Sequence, residues 1–173
     1  MSMSSAAQPK IRILLVCLGN ICRSPTAHGV LEKCIQDKGL QELIQVDSAG
    51  TGDWHVGNPP DPRAVQAARS RGYLIDQLVA RQVARDDFQQ FDYILCMDRT
   101  NLSALRELCP PAHVNKLCLL LDYADTGHDT VPDPYYGGDQ GFDLVLDLIE
   151  QACAGLLAHL HAEHFSDSPG RHC

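Results

Sequence analysis

Positive charge is scarce: 14 lysines and arginines stand against 22 aspartates and glutamates, for a formal net charge of −8. Nucleic-acid binding leaves a basic face or stripe, so a polyanion is excluded as the main partner and any phosphate site has to be a local positive focus. Long apolar runs are missing as well. No stretch approaches the ~18 residues of a membrane span, and no secretory apolar core follows the polar opening at residues 1–10, so membrane insertion is not expected. The sequence has no Gly-Lys-Ser or Gly-Lys-Thr, which removes the nucleotide-binding P-loop.

A regular cysteine framework is also lacking. The eight cysteines, at 17, 22, 34, 96, 109, 118, 153 and 173, fall mostly inside apolar runs. A reduced thiol packs there as a small hydrophobe, and we read a reducing, cytoplasmic location. The 173 residues, 45% apolar and 21% charged, fit one domain with one sizeable core. We place that domain at residues 11–161, after a disordered start at 1–10 and before a loose tail at 162–173.

What the chain does have is a concentrated stretch, Val16-Cys-Leu-Gly-Asn-Ile-Cys-Arg-Ser-Pro25. The apolar run at 11–16, broken only by Arg12, reads as a buried parallel strand, and Ser24-Pro25 reads as a helix N-cap followed by proline at the first helical position. A strand-to-helix loop of this kind aims backbone N–H groups and the positive end of a helix at one point, which suits a phosphate. Cys17 at the strand end, near Arg23 and that helix end, is placed to exist as the thiolate that attacks. The planar fork of Arg23 can hold two phosphoryl oxygens. Gly19 allows a positive φ or a close approach, and the Ser24 hydroxyl can cap the helix and donate to the Cys17 sulfur. Against this, a strand-end cysteine is commonly a core hydrophobe and Gly-Asn commonly a turn.

Along the chain, short apolar strands alternate with amphipathic helices. Further strands are expected at 43–46, 91–97 and 116–121, the second ending in the turn-rich Asp47-Ser-Ala-Gly-Thr-Gly52. Helices follow the loop (Ala27, Val30, Leu31, Cys34 and Ile35 at helical spacing, His28 on the opposite, surface side), Asp61-Pro62 and Asp98; a long closing helix runs from Phe142. The alternation predicts right-handed βαβ units: a three-layer α/β domain whose parallel sheet of about four strands has helices on both faces.

Asp133 lies between Pro132 and Pro134. Prolines on both sides restrict the backbone and fix the carboxyl better than most loops do. A carboxyl held in this way can give up a proton and later take one from water, although Asp-Pro by itself is commonly just a turn. The other aspartates between 122 and 139 match no calcium loop, and His159, His161 and His164 lack zinc spacing, so no metal is expected.

Cys17-Leu-Gly-Asn-Ile-Cys-Arg-Ser-Pro25 resembles the signature loop of the low-molecular-weight protein tyrosine phosphatases, and Val131-Pro-Asp-Pro-Tyr-Tyr-Gly137 resembles their general-acid loop. The likeness runs from about residue 11 to about residue 160. It implies a sheet of strand order 2-1-3-4, a phosphocysteine on Cys17, phosphate binding by Arg23, and Asp133 as acid and base. It further implies that Asn20 and Ser24 hold the loop and thiolate, that Ser48 hydrogen-bonds Asn20, and that Cys22 can protect Cys17 as a reversible disulfide. Leu18, Gly19, Asn20, Ile21, Cys22 and Ser24 would line the substrate pocket, with Trp54, Tyr135 and Tyr136 at its rim. The expected substrate is phosphotyrosine on a protein, the product inorganic phosphate, the cofactor none, and the assembly a monomer or weak dimer.

The sequence departs from the family before Arg81, where Gln77 and Leu78 stand in place of the usual histidines. Related phosphoarginine hydrolases tend to carry a small polar residue where this chain has Ile21. Thiol-dependent arsenate reduction, which needs further redox cysteines, and a non-catalytic phosphate-binding module are the rival readings.

Overall fold

The computed structural model describes residues 11–134 and 139–165. Tyr135, Tyr136 and both expected terminal segments, apart from residues 162–165, lie outside them. The elements in order are β1 (Ile11–Cys17), α1 (Arg23–Asp37), β2 (Ile44–Gly50), α2 (Pro62–Ser70), a short α3 (Asp87–Gln90), β3 (Tyr93–Cys96), α4 (Arg99–Leu108), β4 (Leu117–Leu119) and α5 (Asp139–Leu160). One 3-10 turn (Pro111–Lys116) precedes β4, another (Leu120–Tyr123) follows it, and a π turn (His161–Phe165) ends the described chain. The four strands are all parallel, in the order β2-β1-β3-β4.

The near-continuous apolar run of β1 has a direct cause: the central strand is covered on both faces, so successive side chains enter different cores. Ile11, Ile13, Leu15 and Cys17 join the core built with α1 and α5, whereas Leu14 and Val16 join Phe88, Phe91 and the α4 leucines Leu102 and Leu105. A third cluster of Ile21, Cys22, Ala64, Ala68, Ile75, Ala80 and Phe142 packs beneath the loop after β1. Among the described residues, no helix is long and apolar enough to cross a membrane.

Boundaries differ from expectation in ways that matter for the site. β2 continues to Gly50 because its pairing with β1 runs on through Leu15↔Ser48 and Cys17↔Gly50, so Asp47 and Ser48 are strand residues, not loop residues. β3 and β4 are shorter than the apolar runs that mark them. α1 starts at Arg23, with Cys22 in the cap position and no side-chain cap. Ser24 therefore sits inside the first turn, its hydroxyl engaged elsewhere. Pro25 is tolerated next to it because first-turn N–H groups have no intrahelical acceptor. The other start signals hold: Asp61 caps α2 by accepting from the Arg63 N–H, and Asp98 caps α4 through Asn101.

Candidate active site

Residues 18–22 turn the chain from β1 into α1 at the carboxyl end of the sheet, where open α/β proteins gather ligands. The tight point is Asn20, which adopts φ 58°, a left-handed conformation that asparagine accepts more readily than most residues. That turn points the Asn20 backbone N–H at Cys17 Sγ, 3.2 Å away. The buried Asn20 side chain is held at both ends: Nδ2 donates to Ser24 Oγ at 2.8 Å, and Oδ1 accepts from the Arg81 N–H at 3.0 Å. Ser24 Oγ lies 3.0 Å from Cys17 Sγ. That oxygen accepts from Asn20, and its single hydrogen has two acceptors within reach, the sulfur at 3.0 Å and the Ala49 carbonyl at 3.5 Å, of which the sulfur is nearer.

The loop is held from behind by the extension of β2. The Thr51 and Gly52 N–H groups donate to the carbonyls of Cys17 and Leu18 at 2.9 Å each. Gly50 must lack a side chain, since a Cβ there would stand 2.8 Å from the Leu18 carbonyl oxygen and 3.1 Å from the Gly19 carbonyl carbon. Gly19 serves close approach, not positive φ: a Cβ would meet His55 Cδ2 at 2.9 Å.

Arg23 is almost wholly buried, and its guanidinium is tied on two sides. Nη1 donates to Asp98 Oδ2 at 2.6 Å and to the Val131 carbonyl at 3.0 Å, while Nη2 lies 3.5 Å from Asp133 Oδ2. Asp98 thus has two tasks, since its Oδ1 accepts from the Asn101 N–H at 2.8 Å and caps α4. Sequence reasoning found only the cap; the other signal was its place just beyond a parallel strand's carboxyl end.

Cys17, Leu18, Gly19, Ile21, Cys22, Arg23, Trp54, His55 and Asp133 line one cavity of about 370 Å³. Eight of these were singled out from sequence; His55 was not. Trp54 is 69% exposed and lies over Gly52, where a side chain would collide with its ring, so it walls the cavity's mouth. Asn20 and Ser24 stand behind the loop. The Cys22 thiol is pushed up to about 12, chiefly by burial and then by the negative charge of Asp61, which keeps this second cysteine protonated.

Two expectations are corrected. Ser48 does not bond Asn20, whose amide is taken by Ser24 and whose carbonyl is taken by Arg81; instead Ser48 Oγ lies 3.1 Å from Nδ1 of His28. His28 is accordingly not a surface residue but is buried, because its side of α1 faces β2, where it meets Ser48.

A sulfur with two hydrogen-bond donors, a buried guanidinium and a carboxyl on the facing loop can bind a tetrahedral oxyanion and exchange a group with it. The sequence profile described as low molecular weight phosphotyrosine protein phosphatase matches residues 12–166. The chain belongs to that family. The low molecular weight protein-tyrosine-phosphatase YfkJ of Bacillus subtilis is 43% identical over 154 residues, covering 88% of this chain and 97% of the relative. The human low molecular weight phosphotyrosine protein phosphatase is 40% identical over 161 residues, covering 90% and 99%. A crystal structure of the protein tyrosine phosphatase from Entamoeba histolytica, with Hepes in its active site, superposes with a TM-score of 0.85 at 43% identity, covering 87% of this chain and 97% of that one. As a member of the low molecular weight phosphotyrosine protein phosphatase family, the chain is a hydrolase of the protein-tyrosine-phosphatase class, and its four-stranded order 2-1-3-4 agrees with that fold.

Proposed function

We propose that the protein hydrolyses phosphotyrosine on protein substrates in two displacements, through a phosphocysteine on Cys17. The observation that carries this reading is the convergence of Cys17, Arg23 and Asp133 on one cavity, with Asn20 N–H and Ser24 Oγ both on the sulfur. In the first step the Cys17 thiolate forms a bond to phosphorus as the phosphorus–oxygen bond to the phenol breaks, and Asp133 gives its proton to the departing oxygen. In the second, Asp133 takes a proton from water, the water oxygen bonds to phosphorus, and the sulfur leaves as thiolate with inorganic phosphate as product. Arg23 follows the phosphoryl oxygens through both steps, and its fixed fork needs little reorganisation because Asp98 and Val131 already anchor it.

The resting contact between Arg23 and Asp133 is part of the reading. A phosphoryl dianion entering the loop takes over the guanidinium and so draws it off the Asp133 carboxyl, which can then face the departing oxygen. Leu18 and Ile21 with Trp54 give the cavity apolar walls, which suit an aromatic ring better than the charged guanidinium of phosphoarginine. Cys96 is fully buried with its thiol pushed up by burial, a poor member of any cysteine relay, so hydrolysis is favoured over arsenate reduction. The chemistry uses protein groups alone and is assigned to one domain at 11–161 in a reducing cytoplasm.

The test is hydrolysis of an aryl phosphate across pH under thiol reductant, with Cys17→Ser and Asp133→Ala beside the wild type. Turnover should vanish in the first and fall about 10²-fold or more in the second with a poor leaving group. A wild type that is inert on aryl phosphates but active on phosphoarginine or arsenate would sink the reading.

A further inference from the structure

His28 is a buried histidine that the two displacements leave unused. Its Nδ1 lies 3.1 Å from Ser48 Oγ, and its Nε2 lies 3.3 Å from a carboxylate oxygen of Glu32, one turn further along α1. Glu32 favours the tautomer with hydrogen on Nε2, which leaves Nδ1 to accept from the Ser48 hydroxyl. Ser24 is four residues before His28 on the same helix, and Ala49 is the next residue after Ser48 on β2. Two rungs therefore cross the same gap between α1 and β2: His28 to Ser48, and Ser24 to the Ala49 carbonyl.

The second rung is long, at 3.5 Å, while the Ser24 oxygen is 3.0 Å from the Cys17 sulfur. The Ser24 hydroxyl has one hydrogen and two candidate acceptors. At these distances the sulfur has it. If β2 moved a few tenths of an ångström toward α1 at Ala49, the carbonyl would compete and the thiolate would lose a donor. We infer that His28 is a positioning residue: through Ser48 it fixes the spacing of β2 from α1, and so keeps the Ser24 hydrogen on Cys17 instead of on the Ala49 carbonyl. This rests on the reading of Cys17 as the nucleophile. It assigns to a helix residue the support of Ser48, in a chain where Gln77 and Leu78 occupy the loop places at which histidine was expected.

The test compares wild type, His28→Ala, His28→Asn, Ser48→Ala, Ser24→Ala and the double variant His28→Ala/Ser24→Ala, each first checked by thermal unfolding. Two quantities are read: kcat on an aryl phosphate, and the rate at which iodoacetate alkylates Cys17 at one mildly acidic pH. His28→Ala and Ser48→Ala should each lower both by about five- to tenfold, as expected for one misdirected hydrogen bond, with KM nearly unchanged. His28→Asn, whose amide can take the place of Nδ1, should recover most of both. In the Ser24→Ala background, the His28 change should add nothing, because no hydroxyl hydrogen remains to misdirect. Overturning results are a folded Ser48→Ala variant with wild-type kcat and alkylation rate, or His28 and Ser24 effects that multiply. Should His28→Ala fail to fold, Ser48→Ala and His28→Asn still decide the matter. An inert wild type would instead count against the phosphocysteine reading itself.

Discussion

Replacing Asp98 by asparagine removes one negative charge and, with the amide oxygen kept on the Asn101 N–H, turns the acceptor facing Arg23 into a donor. The Arg23 side chain is 3% exposed and that of Asp98 is 26% exposed, and they meet at 2.6 Å. Breaking a fully buried ion pair costs about 3–5 kcal/mol, because the surviving charge is stranded. Here water reaches a quarter of the aspartate side chain, and Arg23 keeps the Val131 carbonyl and Asp133, so we expect about 2 kcal/mol. The amide oxygen still accepts from the Asn101 N–H, so the α4 cap survives. Asp98→Ala loses the cap as well and should cost about 1 kcal/mol more. Urea unfolding at neutral pH measures both steps. Activity should respond through the same group: freed from Asp98, the guanidinium swings toward Asp133, and kcat on an aryl phosphate should fall about tenfold. An asparagine variant within about 0.5 kcal/mol of wild type and equally active would refute the claim that this ion pair positions Arg23.

Gly50→Ala should place a methyl against the backbone of residues 18–20, displacing the loop and lowering kcat at least tenfold or so while far-ultraviolet circular dichroism stays native. Gly155→Ala is its control, because a methyl there collides with the Tyr123 carbonyl far from the cavity; it should destabilise by about 2 kcal/mol in urea and leave kcat per folded molecule unchanged. Cys22 holds its proton up to about 12 when folded, against an ordinary 9.0, so its contribution to stability is whole below about pH 9 and is lost as pH rises toward 12. Between about pH 8 and pH 10 the urea midpoint should fall less in Cys22→Ser than in wild type. The same variant should turn peroxide inactivation, reversible by thiol in the wild type, into permanent loss; unchanged recovery would rule out a protective Cys17–Cys22 disulfide.

How much could be read in advance depended on whether a residue's neighbours are local. β1 was legible because burial on both faces leaves an apolar run broken only by Arg12, and the loop after it because Cys17, Asn20 and Ser24 bond one another within eight residues of chain. Asp133, which lines the cavity, was singled out by the resemblance of Val131–Gly137 to the family's loop, since proline neighbours alone are common in turns. His28 was misread for a physical reason: residues 23–28 of α1 are buried all the way round, so helical period cannot separate an inside from an outside. Ser48 was assigned to a turn because the polar sequence after Val46 looks like one, while pairing with β1 in fact carries the strand on to Gly50. The second task of Asp98 depends on an arginine 75 residues away, and that of Arg81, whose N–H holds Asn20 from 61 residues off, is equally non-local.

The central claim is the covalent phosphocysteine, and the direct measurement is mass spectrometry of acid-quenched Asp133→Ala enzyme after mixing with p-nitrophenyl phosphate. That leaving group departs without a proton, whereas water attack still needs the missing base, so the intermediate should accumulate. The account predicts a phosphoryl increment on the peptide containing Cys17, absent in the Cys17→Ser/Asp133→Ala double variant. Turnover of the same substrate by wild type, with no phosphoryl group ever trapped on Cys17, would contradict it.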